Sequence, residues 1–179
     1  RAAKVKVTED YYGYRLKTHD EVLGFYNLEL PPLEFETVAL WFELPVDLKT
    51  HILEQEQDLA GGLHAAEHAL IAMTPLIAMC DRWDIGGFST VAFGDTQQAS
   101  IVIYDAFPGG IGIAEKCFER FETLVAFTQE LLKDCPCESG CPSCVQSPKC
   151  GNNNEPLDKQ IALLILKELL WRFQDPKKE

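Results

Sequence analysis

The chain has 179 residues, of which 46% are hydrophobic and 25% charged, and its formal net charge is −12. This composition excludes an intrinsically disordered or collagen-like protein and is typical of a globular chain with a sizeable core. The longest apolar stretch, Ala69 to Cys80, is too short for a membrane span and contains Pro75. No signal peptide is visible, and the first residue, Arg1, suggests a fragment. We therefore expect a cytoplasmic protein with no membrane partner.

The charge is spread unevenly along the chain. Residues 1–17 carry a net charge of +3, residues 18–115 a net charge of −14, and residues 116–179 a net charge of −1. A surface as acidic as the middle segment would repel a phosphate backbone. Composition alone therefore argues against a free-standing nucleic-acid binder. It leaves open a protein-interaction platform that uses the acidic face of residues 18–115 to bind a basic partner.

The first 45 residues are predicted to form strands, because polar and apolar residues alternate and β-forming residues are frequent. The expected strands cover residues 4–8, 12–16, 25–30 and 35–44. The pair His19-Asp20 is predicted to start a turn, and Pro31-Pro32 to end the third strand because proline lacks the ladder donor. Since no helix separates these strands, antiparallel pairing is favoured.

The pattern becomes helical between Thr50 and Trp83. Gly61-Gly62 is predicted to divide this stretch into two helices, and Pro75 to kink the second. Farther along the chain, the expected elements are strands over 88–93 and 100–104 and helices over 112–133 and 157–173. Asn154 is a candidate cap for the final helix, with Pro156 in its first turn.

Together these elements predict one α+β domain over residues 1–179, with a largely antiparallel sheet, packed helices and a zinc knuckle near the C-terminus. The expected segments are a strand-rich part over 1–45, a helical and mixed part over 46–134, a four-cysteine knuckle over 135–150 and a C-terminal helix over 157–173.

Five of the seven cysteines fall within 16 residues, at Cys135, Cys137, Cys141, Cys144 and Cys150. Four thiolates arranged tetrahedrally form a structural zinc site, and short C-x-C and C-x2-C turns supply two ligands each. The alternatives are an iron–sulfur cluster and disulfides, the latter disfavoured by the odd cysteine total. Cys150 either replaces a nearer ligand or is a free thiol. The remaining two, Cys80 and Cys117, lie on apolar helix faces and are predicted to be core residues.

A second pattern, His64-Ala65-Ala66-Glu67-His68, matches the H-x-x-E-H motif of inverzincin metalloproteases. Both histidines would share one helix face and could bind zinc, with Glu67 as general base. Candidates for a further ligand are Glu115, Glu119 and Glu122, and Asp84 and Asp105 could widen the site into an acid cluster. The alternative to this metal-dependent hydrolase is a pair of partly buried histidines that hydrogen-bond to the sheet or to Glu67.

The segment from Asp105 to Gly112, D-A-F-P-G-G-I-G, lies between a predicted strand and a predicted helix. Glycine-rich loops in that position sometimes cradle phosphate, although a tight strand-to-helix turn is the simpler interpretation. No G-x-x-x-x-G-K-[ST] motif is present, so the sequence shows no nucleotide-hydrolysing machinery.

The knuckle D-C-P-C-E-S-G-C-P-S-C-V (134–145), followed by P-K-C-G-N (148–152) and L-D-K (157–159), resembles the C-terminal module of the mitomycin repair factor A type of superfamily 2 DNA helicases, which are related to a RecQ-like group. The resemblance extends upstream through residues 104–112, 62–70 and 37–41.

This resemblance implies a non-catalytic accessory domain of an ATP-dependent 3′–5′ DNA helicase that acts in DNA repair. It implies a zinc ion held by Cys135, Cys137, Cys141 and Cys144, with Cys150 outside the four. The implied partners are N-terminal motor domains of the same chain, which would bind ATP and Mg²⁺, and DNA in the full-length protein. The residues of the H-x-x-E-H segment would then be structural.

Overall fold

The computed structural model describes residues 1–18 and 22–174. Its strands are β1 (Ala2–Glu9), β2 (Gly13–Lys17), β3 (Val22–Asn27), β4 (Leu33–Glu43), β5 (Ile85–Phe93) and β6 (Gln98–Asp105). Each expected strand has a counterpart, and β5 and β6 begin earlier than predicted. The prediction that Pro31-Pro32 ends the third strand is wrong, because β3 lies three residues earlier and ends at Asn27. The predicted turn at His19-Asp20 lies outside the described residues.

Within the described residues the strands form two sheets, and every strand pair in them is antiparallel, as predicted. One sheet has four strands in the order β1-β4-β6-β5, and the other consists of β2 and β3. In the four-stranded sheet β4 pairs with β1 through Leu40 opposite Ala2, and with β6 through Leu40 opposite Ile103. The α+β fold with a largely antiparallel sheet is confirmed.

The helices are α1 (Val46–Glu54), α2 (Leu59–Ala78), α3 (Ile113–Glu119), α4 (Phe121–Asp134) and α5 (Lys159–Gln174). The single helix predicted over 112–133 is wrong, because Arg120 leaves helical geometry at a φ of −115° and separates α3 from α4. Of these helices, none combines the length and the apolar character that crossing a membrane requires within the described ranges.

The predicted helix break at Gly61-Gly62 is also wrong. Both glycines lie inside α2, and the helices separate earlier, between Glu54 and Leu59. Asp58 caps α2 by accepting the Gly61 N–H at 2.8 Å, and a Cβ at Gly62 would clash with the side chain of Ile161 on α5. These glycines therefore permit close approach and do not break the helix.

The central helix α2 is buried on nearly all sides, as expected of a helix without a polar face. It packs against α3, α4, α5, β5 and β6. The ten residues from Gly61 to Leu70 are all buried, including His64, Glu67 and His68. Three polar side chains thus lie inside the core, where each needs a hydrogen-bonding partner.

The two-stranded sheet contrasts with this core. Its strands pair through Tyr14 opposite Tyr26, whose rings stack with centroids 5.1 Å apart. Most of its apolar side chains are exposed, as are those of the segment that leads into it: Tyr11, Tyr12, Tyr14, Leu16, Val22, Leu23, Phe25 and Tyr26. We call these eight residues the aromatic patch.

Candidate metal centres

The four cysteines of the knuckle converge on one point. Measured between Sγ atoms, Cys135 lies 3.5 Å from both Cys137 and Cys141, and Cys144 lies 3.4 Å from Cys137 and 3.7 Å from Cys141. All four sulfurs lie within 4.8 Å of one another. Four thiolates about 2.3 Å from a tetrahedral zinc ion would be about 3.8 Å apart, so this arrangement fits one such ion.

The sulfur separations also bear on the two alternatives. A disulfide requires sulfurs about 2.0 Å apart, and all seven cysteines are free. An iron–sulfur cluster spreads its cysteines over two or more iron atoms and needs wider spacing than four sulfurs around a single point. The donor set therefore matches a single tetrahedral ion best.

Local backbone structure places these sulfurs. Cys135 directly follows the last residue of α4, and its N–H bonds to the Leu131 carbonyl at 3.2 Å. A tight turn then presents Cys141 and Cys144, with the Cys141 carbonyl accepting the N–H of Cys144 at 3.0 Å. Gly140 adopts a φ of +114°, and a Cβ there would clash with the buried Val145. Only glycine is readily accommodated at this reversal.

A buried lysine on α5 holds the knuckle from the other side. Lys159 is only 3% exposed, and its Nζ donates to the carbonyls of Cys135 at 2.7 Å and Cys137 at 2.6 Å. The same Nζ lies 3.5 Å from the Cys137 Sγ. An ammonium group beside the sulfurs offsets the negative charge that four thiolates would bring.

Sequence reasoning gave Lys159 no role at this site. The signal that could have found it is helical spacing, since Lys159 shares its face of α5 with the buried Ala162 and Leu166. A lysine on the apolar face of a helix, directly after a cysteine knuckle, indicates a buried charge that faces a negative partner.

The knuckle thiols differ in acidity. Partial burial raises the pKa of the Cys137 thiol, but hydrogen bonds from neighbouring thiols and from Lys159 outweigh this and lower the pKa to about 7. Deeper burial raises the pKa of Cys144 to about 12. Of these two thiols, Cys137 is therefore the one that ionises more readily.

The two histidines of α2 lie side by side, with ring centroids 4.3 Å apart. The His64 Nδ1 lies 2.8 Å from the Pro156 carbonyl, and the His68 Nδ1 lies 2.7 Å from the Val145 carbonyl. Because a carbonyl only accepts, each Nδ1 carries the proton, which leaves Nε2 with a lone pair in the neutral ring. Burial lowers the pKa of His68 to about 4, against its hydrogen bond to Val145. The predicted hydrogen bonds to the sheet or to Glu67 are wrong, since both partners are loop carbonyls.

Cys150 completes a second cluster with these histidines. Its Sγ lies 3.3 Å from the His64 Nε2, and the ligand atoms of His64, His68 and Cys150 all lie within 4.8 Å of one another. The structure therefore places Cys150 beside the histidines, 86 residues from His64 along the chain. No local spacing pattern could have shown this pairing.

Glu67 is not a member of that cluster and hydrogen-bonds to β5. Its Oε2 accepts the Ser89 hydroxyl at 2.8 Å, and burial raises the pKa of the carboxyl group to about 7, against this hydrogen bond. It lines the same cavity of about 560 Å³ as His64, His68 and Cys150. The other candidate ligands of the hydrolase interpretation, Glu115, Glu119 and Glu122, are not among the residues that line this cavity.

The glycine-rich loop after β6 is organised by Asp105. This carboxylate is fully buried and accepts the backbone N–H groups of Ile111, Gly112, Ile113 and Ala114 at 2.6 to 3.2 Å. The donors that would cradle a phosphate are thus occupied by the chain's own carboxylate, as the tight-turn interpretation requires. Asp84 likewise accepts the Asp81 N–H at 2.8 Å, so the two aspartates have separate structural partners.

The final helix is capped by Asp158, and the predicted cap Asn154 is wrong. The Asp158 Oδ1 accepts the N–H groups of Gln160 and Ile161, both at 2.9 Å. Asn154 instead closes the preceding loop, where its Oδ1 accepts the Ser147 N–H at 2.7 Å and its Nδ2 donates to the Ser147 carbonyl at 3.1 Å. Since α5 begins at Lys159, Pro156 lies before the helix.

Comparison with known proteins identifies the domain that contains the knuckle. The family model of the MrfA Zn-binding domain matches residues 66–145, a range that includes all four knuckle cysteines. An uncharacterized protein of Methanocaldococcus jannaschii is 44% identical over 111 residues, which cover 60% of this chain and 99% of that protein. The ATP-dependent helicase HRQ1 of Saccharomyces cerevisiae is 24% identical over 96% of this chain and 17% of its own length.

A solved structure agrees with these sequence matches. The crystal structure of the DUF1998 helicase MrfA bound to DNA and AMPPNP superposes with a TM-score of 0.61 and 30% identity, over 90% of this chain and 20% of that one. The chain thus spans nearly all of the archaeal relative but only about a fifth or less of these helicases. On this match of sequence, fold and cysteine knuckle, the chain belongs to the MrfA Zn-binding domain family.

Proposed function

We propose that this chain is the zinc-binding accessory domain of an ATP-dependent 3′–5′ DNA helicase that acts in DNA repair in the cytoplasm. The observation that carries the proposal is the convergence of four sulfurs in a domain shared with helicases. Residues 1–179 would form one accessory domain. ATP and Mg²⁺ would be bound by motor domains elsewhere in the helicase.

The zinc ligands in this proposal are Cys135, Cys137, Cys141 and Cys144. The tetrahedral spacing of their sulfurs supports the assignment, as does the positive charge that Lys159 supplies beside them. Zinc would bring structural and not catalytic chemistry, because four thiolates leave no coordination position open to a substrate.

The chain's own residues indicate what the ion would stabilise. The knuckle begins where α4 ends, at Cys135, and Lys159 at the start of α5 donates to the same loop. Between them Val145 is fully buried in the core. A fixed knuckle therefore fixes α5 against α4 and α2, and a loop with so few apolar side chains of its own needs the ion to keep one shape.

The proposed partner of this domain is the helicase motor. The aromatic patch exposes eight large apolar side chains on the two-stranded sheet and the segment that leads into it, which is typical of an interaction surface. Residues 18–115 carry a net charge of −14 and would face a basic motor lobe or point away from DNA. The basic segment 1–17 includes β1, one of the two edge strands of the four-stranded sheet, and remains eligible for DNA contact.

The proposal is tested by the double substitution Cys137→Ser/Cys144→Ser in the complete helicase, with Cys80→Ser as the matched control. Cys80 is a partly buried thiol outside both clusters. We expect the double variant to lose the zinc of the knuckle and its unwinding activity, while the control keeps both. Unchanged zinc content and unwinding in the double variant would refute the proposal.

A further inference from the structure

Outside the knuckle, a second set of metal-ligating side chains converges. The imidazoles of His64 and His68 and the thiol of Cys150 bring their ligand atoms within 4.8 Å of one another, and none of the three belongs to the four-sulfur cluster. Two nitrogens and one sulfur form a donor set that suits zinc and similar transition-metal ions.

The orientation of both rings is the one that metal-bound histidines adopt. A ligating histidine commonly donates its remaining ring N–H to a carbonyl or carboxylate, which fixes the ring and leaves the other nitrogen for the metal. Here Nδ1 of each ring donates to a backbone carbonyl, at 2.8 Å for Pro156 and 2.7 Å for Val145. The two Nε2 atoms are therefore left as the donors of the cluster.

The loop over residues 147–154 holds Cys150 against these nitrogens. Asn154 closes the loop by its two hydrogen bonds to Ser147, and its own N–H donates to the Cys150 Sγ at 3.2 Å. Lys149 ties the loop to the first residue of β5 and to the turn before it, through the carbonyls of Ile85 at 2.6 Å and Arg82 at 3.1 Å. An N–H donor on the sulfur stabilises a thiolate, so the loop presents Cys150 as a ligand.

We propose that His64, His68 and Cys150 form a second metal site, which binds Zn²⁺ through His64 Nε2, His68 Nε2 and Cys150 Sγ. On binding, the thiol proton of Cys150 passes to solvent and a sulfur–metal bond forms. The observed 3.3 Å between Cys150 Sγ and His64 Nε2 is close to the roughly 3.5 Å expected between a thiolate and an imidazole nitrogen on a tetrahedral zinc ion.

This second site differs from the knuckle in being open. All three ligands line the cavity of about 560 Å³ that also contains Glu67 and Lys149. With three protein ligands, the fourth coordination position faces this cavity and is free for water or a small anionic ligand, as in zinc sites that are not purely structural. The proposal does not depend on the helicase assignment.

Counting bound metal in the 179-residue chain tests the proposal. After growth with zinc and removal of free metal, elemental analysis should give two zinc ions per wild-type chain and two for the Cys80→Ser control. The variant Cys150→Ser should hold one. A single zinc in the wild-type chain would overturn the proposal and leave a plain hydrogen bond between Cys150 and His64.

A second measurement uses the wild-type chain alone, so its outcome does not depend on whether Cys150→Ser folds. The wild-type chain loaded with ¹¹³Cd²⁺ should give two NMR resonances of equal area, one from a four-sulfur site and one from a site with a single sulfur. The first resonance should couple to the β-protons of four cysteines, and the second should couple to the β-protons of one cysteine. A single resonance would contradict the second site, whereas loss of knuckle metal without effect on unwinding would contradict the proposed function alone.

Discussion

The two candidate metal centres are built in opposite ways, although Cys150 of the second centre follows the last knuckle cysteine, Cys144, by only six residues. The four knuckle sulfurs come from ten consecutive residues, 135–144, whereas the second cluster joins two histidines on a buried helix to a cysteine on a distant loop. A ligand set within one loop can organise that loop, but a set drawn from separate elements requires the fold to exist first. We therefore expect zinc at the knuckle to act on folding and metal at the second site to bind a finished fold.

Loss of the knuckle ion is expected to have the largest effect on the stability of the chain. A strong chelator, or the Cys137→Ser/Cys144→Ser pair, should release the ion and lower the free energy of unfolding by several kcal/mol, because metal binding and folding are coupled in such loops. Thermal unfolding followed by circular dichroism measures this. A melting temperature unchanged by complete zinc removal would show that the knuckle folds without metal.

The substitution Gly62→Ala should impair the second metal centre more than the knuckle. A Cβ at this position would collide with Ile161, so α2 and α5 must move apart, at an expected cost of about 1–3 kcal/mol. The same movement would displace His64 from the Pro156 carbonyl and draw Lys159 away from the knuckle, whose four ligands nevertheless stay within their own loop. Zinc content should fall from two ions to one.

The matched control for that variant is Gly151→Ala, because a Cβ on Gly151 would meet nothing within 4 Å. Its stability, measured by urea unfolding, should stay within about 0.5 kcal/mol of the wild type. Equal destabilisation by the two substitutions would contradict the packing argument for Gly62.

Lys159→Met tests whether the knuckle depends on charge from α5. The substitution keeps the apolar stem but removes the donor to the Cys135 and Cys137 carbonyls, and loss of such a supporting contact typically weakens metal affinity about 10–100-fold. Competition with a chromophoric chelator measures the affinity. Lys167→Met, at an exposed position on the same helix, should leave it unchanged.

The smallest expected effect concerns mainly the second site. Asn154→Ala removes two hydrogen bonds to Ser147 and should cost about 1–2 kcal/mol of stability, and it should weaken binding of the second metal more than binding of the knuckle ion. Isothermal titration of the metal-depleted chain with zinc would resolve the two affinities. Equal weakening of both sites would indicate that the loop and the knuckle act as one unit.

Much of the fold and one of the two clusters could be predicted from sequence, because their signals are local. Alternation identified the strands, and cysteine spacing identified the knuckle. The clash that Gly62 avoids is with Ile161, nearly 100 residues away, so a glycine pair read locally as a helix break lies in fact at a helix crossing. The position of Cys150 in a second cluster could not be predicted, because the side chain it contacts, His64, lies 86 residues away in the sequence.

Capping signals misled for a related reason. Asn154 and Asp158 both precede α5 and both have side chains that can cap, but the Ser147 backbone competes for Asn154. The glycine-rich loop after β6 could not be interpreted from sequence for the same reason. The four backbone N–H groups that donate to the Asp105 carboxylate are brought to it only by the folded chain.

Val145 gives the two centres a common element. Its backbone directly follows Cys144, and its carbonyl accepts the Nδ1–H of His68 at 2.7 Å. An ion at either centre would restrict the same peptide unit, so binding at one would lower the entropy that is lost on binding at the other. The resulting cooperativity must be reciprocal, with each metal raising the affinity for the other by the same factor.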